Sequence, residues 1–231
     1  MASATASNFG ATSPQAWPAL PTPEPQSVTL TATLDATLID DGAGSKANGQ
    51  GTGLFAGQTG SSGRRRALVQ FDVAGSVPSG ASITSVSLGM TVTRANGGAR
   101  DMALHRVISD WGEGASVGGG PGGGQGSAAQ SGDPTWLHSN FNSQFWATPG
   151  GDFSGTQSAV TSINNDDEVL YMWGSTSQMV ADVQFWLDNQ SQDFGWIIVG
   201  EEGQGRSAKR FASREHATAG SRPRLTINYT Q

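Results

Sequence analysis

Two stretches of the chain alternate apolar and polar residues with a period of two. Val28, Leu30, Ala32, Leu34, Ala36 and Leu38 are interleaved with Thr29, Thr31, Thr33, Asp35 and Thr37. Further on, Val86, Leu88, Met90 and Val92 alternate with Ser85, Ser87, Gly89, Thr91 and Thr93. Successive side chains of a strand point to opposite faces, so each run predicts a strand with one buried and one wet face. Shorter strand-like pieces are Gly53–Ala56, Arg66–Asp72, Met102–Val107, Val169–Trp173, Gly195–Val199, Lys209–Ser213 and Arg224–Tyr229. Gly-, Ser- and Asn-rich turns such as Ala95-Asn96-Gly97-Gly98 separate them. The pattern predicts an all-β, antiparallel sandwich.

One segment has the other period. Met179, Val180, Val183, Trp186 and Leu187 share one helical face. Ser175-Thr176-Ser177-Gln178 before them fits a capping box, with Ser175 as N-cap and Gln178 three residues on. Asn189 is the predicted stop. The stripe reads as core packing of one short helix rather than as a cofactor box.

Residues 1–26 hold Pro14, Pro18, Pro21, Pro23 and Pro25 among Ala, Ser and Thr. This composition favours extended backbone and predicts a linker or tail, in which Trp17 either docks on the body or stands exposed. The body is expected over residues 27–231. Within it, the stretch from Gly112 to Gly132 carries ten Gly in twenty-one positions. So much backbone entropy argues against a regular element, and a flexible spacer is expected there.

Composition narrows the class. The 231 residues include 33 Gly, 10 Pro and no Cys, with a formal net charge of −6. Without Cys there is no thiolate catalysis, Cys-zinc site or disulfide. An acidic balance excludes the basic footprint of a nucleic-acid binder and gives no attraction to anionic membranes. No apolar run approaches the ~18 residues of a membrane helix. The segment Met1-Ala2-Ser3-Ala4-Thr5 has neither a charged n-region nor an apolar h-region.

Catalytic motifs are weak. Gly114-Ala115-Ser116-Val117-Gly118 spells G-x-S-x-G but lacks the strand and helix that a nucleophile elbow needs. Gly118–Gly123 spells G-x-G-x-x-G without a βαβ context. The three His residues, His105, His138 and His216, show no metal-ligand spacing. Acidic pairs are better cation candidates: Asp40-Asp41 and Asp166-Asp167 lie in polar turns where carboxylates could hold Ca²⁺, or simply be solvated. Ca²⁺ is the one cofactor candidate that the sequence offers.

Aromatic residues interleaved with amides point to a contact surface, because flat rings beside polar groups suit the mixed faces of sugars. Trp111, Trp136, His138, Phe145 and Trp146 are the candidates, each also a candidate for the core. Arg64, Arg65 and Arg210 could grip carboxylates of a uronate polymer in bidentate fashion. Arg66, Asp72, Arg214 and Glu215, beside apolar strands, are expected in charge pairs that fix strand ends.

Ordered segments carry a resemblance. Arg65-Arg66-Ala67-Leu68-Val69-Gln70-Phe71-Asp72-Val73 and Val77–Val86 resemble the "R-x-L-x-x-F-D … P-x-G-x-x-I-x-x-A" core of DNRLRE-type domains. Asp110-Trp111-Gly112-Glu113-Gly114 is similar to their "D-W-x-E-G" segment, and Phe211-Ala212-Ser213-Arg214-Glu215 and Arg222–Tyr229 follow in order. Of the name motif only Ser213-Arg214-Glu215 keeps the tail. The resemblance implies a jelly-roll-like β-sandwich of bacterial secreted or surface proteins, related to modules that bind acidic polysaccharide such as alginate. It brings no catalytic motif.

The expectation is a non-catalytic extracellular or cell-surface module that binds polysaccharide or another surface component. A structural subunit of a surface layer, matrix or filament, with self-association through β edges, is the alternative. A polysaccharide hydrolase or lyase ranks third.

Overall fold

The structure, a computed structural model, describes residues 1–3, 24–61 and 63–231. Trp17 lies outside the described residues. Fifteen strands and one α-helix make an antiparallel β-sandwich among them. In chain order these are β1 Pro25–Thr31, β2 Leu34–Ile39, β3 Lys46–Asn48, β4 Gly53–Gln58 and β5 Arg64–Gln70. β6 Ser82–Arg94, β7 Arg100–Val107, β8 Ser127–Ala128, β9 His138–Asn140 and β10 Gln144–Phe145 follow. The last group is β11 Phe153–Ile163, β12 Val169–Trp173, helix α1 Ser177–Asp188, β13 Trp196–Val199, β14 Lys209–Ala212 and β15 Arg224–Thr230.

One layer runs β1–β15–β6, with β12 on the other side of β6 and β14–β4 continuing the sheet beyond β15. The second layer runs β2–β5–β13–β7–β11. β4 joins the layers, pairing with β14 from Gly53 to Ala56 and with β5 at Gly57 and Gln58. The alternating run from Val28 to Leu38, expected as one strand, is split at Ala32–Thr33. β1 stays in the first layer while β2 crosses to the second, where the Thr33 amide donates to Gln70 O at 2.8 Å. The body starts at Pro25, two residues before the expected boundary.

The middle of the second layer, at β5 and β13, is buried on both faces. Ala67, Val69, Trp196, Ile198, Met102 and Leu104 face the main core between the sheets. Leu68, Ile197 and Val107 face a separate cluster with Trp111, Trp136 and Trp146. Residues 108–152, between β7 and β11, thus wrap the outside of this layer as a third one. Doubly buried strands read as unbroken apolar runs, which is what Ala67-Leu68-Val69 and Trp196-Ile197-Ile198-Val199 are.

Helix α1 packs on β6 and β11, burying Met179, Val183, Trp186 and Leu187. Trp186 meets Trp196 edge-on, ring centroids 4.6 Å apart. Its N-cap is Thr176 rather than Ser175: Thr176 Oγ1 accepts from the Met179 amide at 3.0 Å. Ser175 Oγ is engaged elsewhere, accepting from the Val86 amide. Asn189 ends the helix as expected, its side-chain amide donating to Phe185 O.

Candidate functional site

Strand register lines up three side chains across the first layer. Phe55 of β4 stands opposite Arg210 of β14, and Arg210 stands opposite Arg94 of β6. Leu54 and Phe211, next to Phe55 and Arg210 in sequence, fill the core, and Arg94 is exposed, so the row faces outward. A register shift in β6 beside this row leaves Thr93 to hold Arg210: Thr93 Oγ1 accepts from Arg210 Nε at 2.8 Å and Thr93 O accepts from Nη2 at 3.0 Å. Arg206, on the loop before β14, completes an open cleft of about 660 Å³ with Phe55 half-buried in it. No carboxylate is among its lining residues. None of Arg94, Arg206 and Arg210 belongs to an ion pair among the described residues.

The Gly-rich segment supplies one wall, and the expectation of a flexible spacer is corrected. Residues 112–132 are tied down: β8 pairs with β3, Gly119 bridges Gly126, and the Gly118 amide donates to Asn48 Oδ1 at 3.0 Å. The glycines serve close approach. A Cβ on Gly124 would meet Phe55 Cζ at 2.8 Å, and one on Gly122 would meet Arg210 Cδ at 2.9 Å. Only backbone without side chains can lie that near the floor of the cleft.

The predicted contact residues divide. Arg210 is in the cleft. Arg65 is not a surface group: its guanidinium is buried and donates to Gly124 O and Arg64 O, so it holds the wall from behind. Burial lowers its pKa. Arg64 pairs with Asp40 at 2.7 Å and lies 4.6 Å over the Trp136 ring. Trp111, Trp136 and Trp146 belong to the second core, at 3–4% exposure, which corrects their assignment as an exposed contact surface. The indole N–H of Trp111 donates to Phe194 O and that of Trp146 to Thr135 O. Of the predicted aromatics only His138 and Phe145 reach solvent. Their rings lie 4.2 Å apart, Phe141 flanks His138 at 5.1 Å, and Phe145 is 68% exposed. Sequence reading missed Phe55, Arg94 and Arg206, because only the register brings them beside Arg210.

The acidic turns hold their own backbone. Asp41 accepts from the amides of Ala43, Gly44 and Ser45 and from Ser45 Oγ. These hydrogen bonds lower its pKa despite partial burial. Asp40 takes Arg64, Asp166 accepts from Tyr171 Oη, and Asp167 accepts from the Ala95 amide. Asp40, Asp41, Asp166 and Asp167 are therefore turn and pairing groups, and they do not converge as the expected Ca²⁺ ligands. Among the structural candidates, Arg66 is bidentate to Glu202 and also donates to Gly150 O. Among the described residues Asp72 pairs with no cation; it caps its own turn, accepting from the Gly75 amide at 2.9 Å.

Arg214 and Glu215 enter a different cluster. Arg214 is bidentate to Glu113 and also meets Glu215 at 2.9 Å. Asp35 Oδ2 accepts from the Arg214 amide, and the Asp35 amide donates to Glu113 Oε1. One carboxylate oxygen each of Asp35, Glu113 and Glu215 lies within 4.8 Å of the others. Burial raises the Asp35 carboxyl well above the usual carboxylate range, and the Glu215 charge adds to this. Ser116 of the G-x-S-x-G string is fully buried; its Oγ accepts from the Gly49 amide and its own amide donates to Asp133.

Among the described residues no helix is long and apolar enough to cross a membrane. Compared with known proteins, the chain matches no family model and no curated protein.

Proposed function

We propose that this protein is a non-catalytic recognition module that binds acidic polysaccharide in the cleft of Phe55, Arg94, Arg206 and Arg210. The observation that carries the reading is three guanidiniums without carboxylate partners around one aromatic ring, in a chain of net charge −6. A uronate offers a carboxylate that matches the guanidinium fork and an apolar ring face that stacks on phenylalanine. An open cleft suits a polymer that passes through it. The likeness of several segments to DNRLRE-type domains supports the same ligand class and an extracellular or cell-surface location. Affinity electrophoresis in gels containing polygalacturonate or alginate tests this. Retardation that is lost in Arg94→Ala/Arg210→Ala is expected; unretarded migration in acidic and neutral polymers alike overturns it.

A second reading, a self-associating structural subunit, rests on one feature. Val160 of β11 and Val169, Leu170 and Met172 of β12 are exposed on strands that each pair on one side only among the described residues. Light scattering coupled to size exclusion separates the two: a monomer at high concentration removes the second.

A further inference from the structure

We infer that Asp35 and Glu215, beside the Arg214-bound Glu113, hold one divalent cation, Ca²⁺ in preference to Mg²⁺, a site independent of the polysaccharide cleft. Three carboxyl groups meet there and one guanidinium, Arg214, stands among them, so the acidic groups outnumber their cation by two. Arg214 occupies both oxygens of Glu113 and one of Glu215. What remains is specific. Asp35 is fully buried, yet its Oδ1 has no hydrogen-bond partner, and neither has the buried Oε2 of Glu215. A buried anionic oxygen without a donor is strongly unfavourable unless something positive meets it. Among the described residues no further Arg or Lys is paired with the three carboxylates.

The converging oxygens lie within 4.8 Å of one another, close enough to share one cation. The preference for Ca²⁺ rests on ligand chemistry: Ca²⁺ accepts irregular cages of protein carboxylates, whereas Mg²⁺ dehydrates reluctantly and keeps waters that a buried site has no room for. Asp35 Oδ1 and Glu215 Oε2 are the oxygens free to ligate, with Glu113 adjoining. The three carboxylates come from distant parts of the chain: Asp35 from β2, Glu113 from the start of the Gly-rich segment, and Glu215 from the loop after β14. A cation there clamps the Gly-rich segment to both layers of the sandwich.

The full chain, stripped with EDTA and dialysed at pH 7.5, is titrated with CaCl₂ or MgCl₂ and followed by native mass spectrometry and thermal unfolding. One Ca²⁺ per chain and a Tm that rises with Ca²⁺ more than with Mg²⁺ are expected. Glu215→Gln, at a partly exposed position that tolerates the change, weakens Ca²⁺ by about tenfold or more, since ligand charge sets affinity. Asp35→Asn does the same, and Asp166→Asn, outside the cluster, leaves binding intact. No bound Ca²⁺ at millimolar concentration, or binding unchanged in Glu215→Gln, overturns the inference.

Discussion

Arg210 is bracketed in the strand register by Phe55 on one side and Arg94 on the other. Directly opposed residues on neighbouring strands hold their Cβ atoms about 4.5–5.5 Å apart, so the aromatic and cationic groups keep a fixed spacing without any loop to order. Thr93 aims the guanidinium through two hydrogen bonds, to Nε and Nη2, and no carboxylate among the described residues pairs with it. Binding at such a preorganised row gives up little conformational entropy.

Removing one arginine of the row is expected to weaken a polyuronate by about tenfold, the value of one charge-assisted hydrogen-bonded contact of about 1.5 kcal/mol. Arg210→Lys recovers only part of this, because an ammonium cannot make the bidentate fork. Calorimetric titration of Arg94→Ala, Arg210→Ala and Arg210→Lys checks the order.

Gly124→Ala separates the wall from the body. Its Cβ would sit 2.8 Å from Phe55 Cζ, so the ring must turn or the wall must retreat. Ligand affinity falls while the second core, away from the cleft, is unaltered. Near-ultraviolet circular dichroism of the buried tryptophans and a binding isotherm, measured on the same sample, report the two separately.

The tryptophans define stability rather than contact. Trp136→Ala is expected to cost about 3–5 kcal/mol in urea unfolding, the usual range for deleting a buried large aromatic. It also removes the ring beneath Arg64 and Arg66. Phe145→Ala, at a mostly exposed ring, changes stability by about 0.5 kcal/mol or less.

Sandwich layers were legible from period-two alternation, and α1 from its apolar stripe, because both report which side of a backbone is buried. The break at Ala32–Thr33 left no trace, since the alternation continues across it while the apolar side chains pass from the main core (Leu30, Ala32) to the second cluster (Ala36, Leu38). β11 is hidden by its polar start: Ser154, Gly155, Thr156, Gln157 and Ser158 carry no apolar alternation, and pairing with β7 imposes the strand. Exposure of aromatics was illegible for a different reason. All six tryptophans among the described residues are buried, and a polar spacing around Trp136 and Trp146 reflects loop turns over the second core, not a wet surface. The apolar runs flanking Leu68 and Ile197 were the available signal that a third layer existed. The Phe55–Arg210–Arg94 row needed register, which local sequence does not encode.

Asp193 makes stability pH-dependent. Burial raises its carboxyl from 3.8 to about 7. An acid whose folded pKa lies above its unfolded one binds protons more tightly when folded. Its contribution is therefore full at pH below about 4 and is lost as pH rises through about 7. Tm measured from pH 5 to pH 8 is expected to fall, and Asp193→Asn, which cannot ionise, flattens that fall.

Glu113 and Arg214 are expected to behave as a unit. Arg214→Ala leaves a buried glutamate without its bidentate partner and costs about 3 kcal/mol or more. Glu113→Gln/Arg214→Met restores part of the loss, and a double-mutant cycle in urea gives the coupling.

Calorimetric titration of uronate oligosaccharides, at several salt concentrations, bears most directly on the role of the cleft. Wild-type protein should bind with an affinity that falls as salt rises, leave the oligosaccharide uncleaved, and lose binding in Arg94→Ala/Arg206→Ala/Arg210→Ala while Tm holds. Equal binding by that triple variant, or cleavage of the oligosaccharide by the wild type, would contradict it.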